Sequence, residues 1–197
     1  MKVKYVRWGR GFGRHTTEEA TLSMLDGFNQ TRYSRRKNKE GLLELASREA
    51  HEKKRSYYAT ILNDDETPFC FLECNDGYFY VGFLDEKLRV YMSYKYDDDY
   101  APNKKLFLQT VSYFEFDKET GSQIGATDYL LKPDGSFFIL IHRAGKREEL
   151  IPEKPLSPEV VKHLWVDYPE FGKYDELIKI DRVPPEVFEQ FPNAKKS

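Results

Sequence analysis

The sequence predicts an α+β fold: a single domain with a mostly antiparallel six- to seven-stranded sheet, two N-terminal helices and short C-terminal helices. Three observations predict it. Apolar residues recur at helical spacing before residue 56 and alternate with polar ones from Tyr57 to about residue 145. Turn sequences punctuate that second stretch: Asn75-Asp76-Gly77, Asp85-Glu86-Lys87, Lys118-Glu119-Thr120-Gly121 and Lys132-Pro133-Asp134-Gly135. Helical signals return only after the sheet, an order that argues against alternating βαβ units. A chain of 197 residues suits one domain with a full core, read as 1–197 in three parts. These are a basic helical part over 1–56, the sheet over 57–145 and a helical tail over 146–197.

Taken in order, residues 3–8 (VKYVRW) alternate and predict a short strand, which the glycines at 9, 11 and 13 interrupt. Thr16 and Glu19 have capping-box spacing, so a helix should run to about Phe28 and bury Ala20, Met24, Leu25 and Phe28. After a basic connection, a second helix from about Lys39 to Lys54 carries Leu42, Leu43, Leu45, Ala46 and Ala50 as its apolar stripe. Tyr57–Leu62 reads as a strand closed by the acidic turn Asn63-Asp64-Asp65-Glu66. The aromatic stretch from Pro68 to Tyr96 then reads as a three-stranded meander. Its apolar area, worth about 25 cal/mol per Å² when removed from water, places it centrally in the sheet. Leu88, Val90, Met92 and Tyr94 share one face of its third strand. Three more strands follow the acidic run Asp97-Asp98-Asp99, at about 106–116, 124–131 and 137–142. Ser157 before Pro158 starts a helix, and further short helices are expected around 174–180 and 185–191.

Charged residues make up 32% of the chain and hydrophobic ones 40%, an ordinary globular balance. No window approaches 18 consecutive apolar residues, and the N-terminus lacks the apolar core of a signal peptide. No membrane association is therefore expected. Cys70 and Cys74 would lie about 13 Å apart along one strand, too far for a disulfide. Two unpaired thiols fit a reducing, cytoplasmic location. The net charge of −2 is uneven: +7 over residues 1–60, −7 over 61–100 and −2 thereafter.

Two charged regions carry the functional expectations. Asp97, Asp98 and Asp99, flanked by Tyr94, Tyr96 and Tyr100, form an acidic, tyrosine-rich edge suited to a basic protein partner, with Asp64, Asp65 and Glu66 as a second contribution. Their spacing lacks the alternation and glycine of a calcium loop, so no metal is expected. The alternative is a nucleic-acid surface from Arg7, Arg10, Arg14, Arg35 and Arg36, with Trp8 and Phe12 for stacking. A pI near 6.1 argues against it. The Gly9–Gly13 loop before a capped helix could cradle a phosphate, yet it lacks the Lys-Ser/Thr of a P-loop and reads as a strand-to-helix turn. The four histidines sit at no metal-ligand spacing, and no nucleophile is linked to a base. No catalytic residue, cofactor or enzymatic activity is expected.

The run Trp165-Val166-Asp167-Tyr168-Pro169-Glu170-Phe171-Gly172-Lys173-Tyr174 resembles the C-terminal signature of small immunity proteins of bacterial polymorphic and contact-dependent toxin systems. The segment GYFYVGFLDE is similar in style to their strands, and the likeness covers about 55 residues, Asp128 to Arg182. The resemblance implies a cytoplasmic, non-catalytic protein that binds a cognate toxin, often a nuclease domain, and blocks its active site. It transfers no functional residue. The aromatic residues of the tail are expected to dock it onto the sheet.

Overall fold

A computed structural model describes residues 1–11, 13–101, 104–143, 145–151 and 155–182. The chain is α+β, with large antiparallel strand arrays and few helices. Its contacts divide it into two compact units, Met1–Val90 with Pro169–Tyr174, and Tyr91–Tyr168 with the chain from Asp175.

The first unit orders four antiparallel strands, β1 (Lys2–Lys4), β4 (Tyr57–Leu62), β5 (Pro68–Asn75) and β6 (Tyr78–Leu84), as β1-β4-β5-β6. The expected first strand is split. β1 stops at Lys4, and β2 (Trp8–Gly9) pairs separately with β3 (Arg14–His15). Between them the Val6 carbonyl accepts the Thr60 hydroxyl at 3.1 Å, drawing the chain inward. The Gly13 amide bonds the Gly9 carbonyl at 3.1 Å, so this loop closes on itself as a turn. Helix α1 (Glu18–Asn29) is capped by Thr17, whose hydroxyl accepts the Ala20 amide at 3.1 Å. Thr16, expected in that role, instead bonds Thr21 and the Arg7 carbonyl. The buried stripe runs through Thr21, Leu22, Leu25 and Asn29, leaving Phe28 61% exposed at its margin. Helix α2 (Leu42–Glu52) packs on β4 through Leu42, Leu43, Ala46 and Ala50, with Leu45 turned outward.

Every residue of β4 is buried, because side chains on both faces are covered. One cover is the cluster of Trp8, Phe71, Tyr80 and Leu84. There Gly82 admits the Phe71 ring: a Cβ at that position would lie 2.5 Å from it. Elsewhere in this unit the tail supplies Phe171, stacked on Tyr5 at 4.6 Å and lying 5.6 Å from His51 and 6.1 Å from Tyr57. The Arg48 guanidinium lies 4.5 Å from the same ring. The Tyr174 hydroxyl donates to the Tyr57 hydroxyl at 3.3 Å, which lies 2.9 Å from His51 Nδ1. Phe171 and Tyr174 therefore dock the tail by packing and hydrogen bonding.

The second unit orders β7 (Val90–Asp97), β8 (Lys105–Phe116), β9 (Gln123–Leu131), β10 (Phe137–Arg143) and β11 (Lys146–Leu150) in sequence, each antiparallel to the next. After helix α3 (Pro158–His163), capped by Ser157, the short β12 (Trp165–Asp167) pairs with the start of β8. The core holds Tyr94, Tyr96, Leu106, Phe107, Leu108, Val111 and Tyr129, all with no exposed surface.

Strands in the two arrays number ten, against the six or seven expected. β11 and β12 have no expected counterpart and lie in the tail expected to be helical, while the short β1 is what remains of the expected first strand. In β11 (KREEL) four of the five residues are exposed, so this charged edge strand shows no apolar alternation. Residues 174–180 form turns instead of a helix, because the carbonyls of Leu177 and Ile180 accept side-chain hydroxyls from the core. The helix expected at 185–191 and the aromatic ring of Phe12 lie outside the described residues. Cys70 and Cys74 are both buried and unpaired. No described helix is long and apolar enough to cross a membrane.

Candidate partner-binding surface

The geometry begins where β7 ends. Asp97 Oδ1 accepts the Asp99 amide at 2.9 Å, and the Ala101 amide bonds the Asp98 carbonyl at 3.0 Å, so the aspartates form their own turn. The turn brings carboxylate oxygens of Asp97, Asp98 and Asp99 within 4.8 Å of one another. Asp97 and Asp98 are half-buried and Asp99 is exposed. Partial burial and the like charges of Asp99 and Asp98 push the Asp97 carboxyl above the ordinary carboxylate range, against the pull of the Asp99 amide.

Strand register places aromatic residues beside this turn. Phe107 on β8 lies opposite Asp97 on β7 and opposite Trp165 on β12. The Phe107 and Trp165 ring centroids are 5.0 Å apart. Tyr100, 52% exposed, presents its ring edge-on to both, at 5.8 Å and 6.5 Å. Asp167, sharing a strand face with Trp165, is exposed and has Lys105 Nζ at 4.0 Å. The result is a negative surface carrying a ring that its neighbours hold in place. Such a surface can steer a cationic segment toward it and bury an aromatic contact at small entropic cost. The crowded oxygens also match the donor chemistry of a hard divalent cation.

The other expected residues fall elsewhere. Tyr94 and Tyr96 are fully buried, and their hydroxyls donate to the carbonyls of Ile180 (2.6 Å) and Leu177 (3.1 Å). They hold the tail and offer nothing to a partner, which corrects their expected place on the edge. Asp64, Asp65 and Glu66 form the β4–β5 turn, where their charges are answered locally. The Met1 ammonium lies 3.5 Å from Asp64 and Lys2 Nζ 2.7 Å from Glu66, while Asp65 accepts the Thr67 amide and hydroxyl. Lys2 holds Glu66 below the ordinary carboxylate range, and Thr67 does the same to Asp65.

The arginines are also partly committed. Arg7 faces Met24 Sδ at 3.9 Å and the Tyr58 ring. Arg10 pairs with Glu73 at 2.7 Å and lies 3.9 Å over the Tyr80 ring. Arg36 covers Tyr33, and Arg14 and Arg35 are exposed. Only part of the expected cationic set is thus presented outward. Trp165 and Asp167 are the surface residues that sequence reasoning missed. Their signal was the alternation Leu164-Trp165-Val166-Asp167 after a capped helix, in which the buried Leu164 and Val166 share one face.

No protein-family model, curated protein or solved structure matches the chain.

Proposed function

We propose that this chain is a non-catalytic, cytoplasmic binding protein that neutralises a cognate bacterial toxin, an immunity protein. Its contact surface is the acidic edge Asp97, Asp98, Asp99 and Tyr100, extended by Trp165 and Asp167. The observation that carries the reading is the crowding of three carboxylates beside an exposed, ring-supported tyrosine. Partial burial and the neighbouring carboxylates raise Asp97 above the ordinary carboxylate range. The resemblance of the Trp165–Tyr174 run supplies the biological setting. A toxin that acts on nucleic acid has a cationic substrate groove, and an acidic surface is complementary to it.

The test is co-expression with the product of the neighbouring gene. A stable complex and protection of the cell from that product are expected. Replacing Asp97, Asp98 and Asp99 by Asn should weaken the complex and lower protection. Unchanged affinity in that variant and in Tyr100→Ala would move the contact elsewhere on the molecule. Binding to generic RNA or DNA that disappears when Arg14 and Arg35 are neutralised would replace this reading with nucleic-acid recognition.

A further inference from the structure

A cleft of about 600 Å³ opens in the first unit, unrelated to the acidic edge. It lies between the last residues of α1, the residues after α2 and the turn joining β5 to β6. Its size falls within the range of small-molecule sites. Lys53, Lys54 and Arg55 line it together with one carboxylate, Asp76. Phe28, 61% exposed, and Gln30 line it from the end of α1.

The backbone gives an independent reason to notice this place. Gln30, Lys54 and Asp76 all adopt left-handed φ values, 57°, 52° and 44°. Gln30 is the C-cap of α1, and Lys54 follows the end of α2. Glycine is the low-strain choice at such helix ends. Here three residues with side chains hold the strained conformation, and all three line the same cleft. Strained backbone of this kind concentrates at ligand sites. The floor is rigid: Asn29 exchanges two hydrogen bonds with the Ser56 backbone, at 2.8 and 3.1 Å. The Ser56 hydroxyl also donates to Asn75 at 2.8 Å.

We propose that this cleft binds a nucleotide, free or as part of a single strand. The cations at 53–55 take the phosphate, the Phe28 ring meets the base, and the Asp76 carboxylate accepts sugar hydroxyls. The site is separate from the toxin-binding reading, so either can fail without the other.

Calorimetric titration of the full chain with AMP, inorganic phosphate and a single-stranded hexanucleotide tests it. AMP should saturate one site and bind more tightly than inorganic phosphate. Lys53→Glu combined with Lys54→Asn removes charge while keeping a residue that tolerates left-handed φ. This variant should weaken AMP by about tenfold or more. Phe28→Ala should weaken AMP about threefold and leave inorganic phosphate unchanged. The Phe28 ring is exposed, so this variant decides the matter if the double variant does not fold. Tighter, steeply salt-dependent binding of the hexanucleotide assigns the site to a strand; affinity no better than AMP assigns it to a free nucleotide. Absence of saturation at millimolar AMP and hexanucleotide, or affinities that neither variant changes, overturns the proposal.

Discussion

Two turns of this chain carry three consecutive carboxylates each, and they end in opposite electrostatic states. At Asp64-Asp65-Glu66 the first unit answers its own charge, with the N-terminal ammonium, Lys2 and the Thr67 donors all within 3.5 Å of a carboxylate oxygen. At Asp97-Asp98-Asp99 carboxylate oxygens lie within 4.8 Å of one another, and burial together with the neighbouring charges raises Asp97. The first turn is a structural fastening of β1 to its neighbour. The second gathers three carboxylates into one turn at the end of β7. A run of acidic residues states how much charge a loop contains, and the surrounding donors decide how much a partner can use.

The largest expected effect separates the two directly. Converting Asp97, Asp98 and Asp99 to Asn should cost about 2–4 kcal/mol of affinity for the toxin, roughly 30- to 1,000-fold. Converting Asp64 and Asp65 to Asn and Glu66 to Gln should change affinity by less than about threefold, because those charges are already paired. Kinetic binding measurements across a salt series check both, and the first variant should also flatten the salt dependence of association. A greater loss from the second variant would break the comparison.

The tyrosines sharpen it next. Tyr96→Phe and Tyr94→Phe should each lower folding stability by about 1–2 kcal/mol, since each leaves a tail carbonyl without its hydroxyl donor. Neither should change partner affinity. Tyr100→Ala should do the reverse, weakening the complex while urea unfolding shifts little. Three tyrosines within seven residues would then divide into two holding the fold and one serving the surface.

That division marks the boundary of what the sequence makes legible. Strands β4 to β10 follow their expected bounds within a residue or two, because alternation and Gly-containing turns report the local backbone directly. β12 escapes, since three residues are too few to show a period, and β11 escapes because it is exposed along nearly all its length. The carboxylates at 97–99 and Tyr100 are readable as a surface feature. The burial of Tyr94 and Tyr96 is not, since alternation states which residues share a face and says nothing of what covers that face. Trp165 arrives at the site through strand pairing with Phe107, a long-range contact that no local pattern encodes.

The smallest effect is the most diagnostic, because its sign differs between the turns. Asp97 is raised in the folded state by burial and by its acidic neighbours, so the folded chain holds that proton longer than the unfolded chain. Stability is therefore lost as pH rises from the ordinary carboxylate range through the raised value, and Asp97 is a net cost at neutral pH. Glu66 is lowered by Lys2, so its contribution is present above the ordinary carboxylate range and fades as pH falls through its folded value. Asp97→Asn should then raise the melting temperature at pH 7, by a few tenths of a kcal/mol in stability, with the gain vanishing toward pH 3. Glu66→Gln should lower the melting temperature at pH 7, with the loss shrinking over the same interval. Thermal melts of both variants from pH 3 to 7 at low salt make the measurement, and added salt should reduce both differences. Shifts of the same sign at pH 7 would mean that the two turns hold their charge in the same way, and the acidic edge would lose its distinction from a solvated loop.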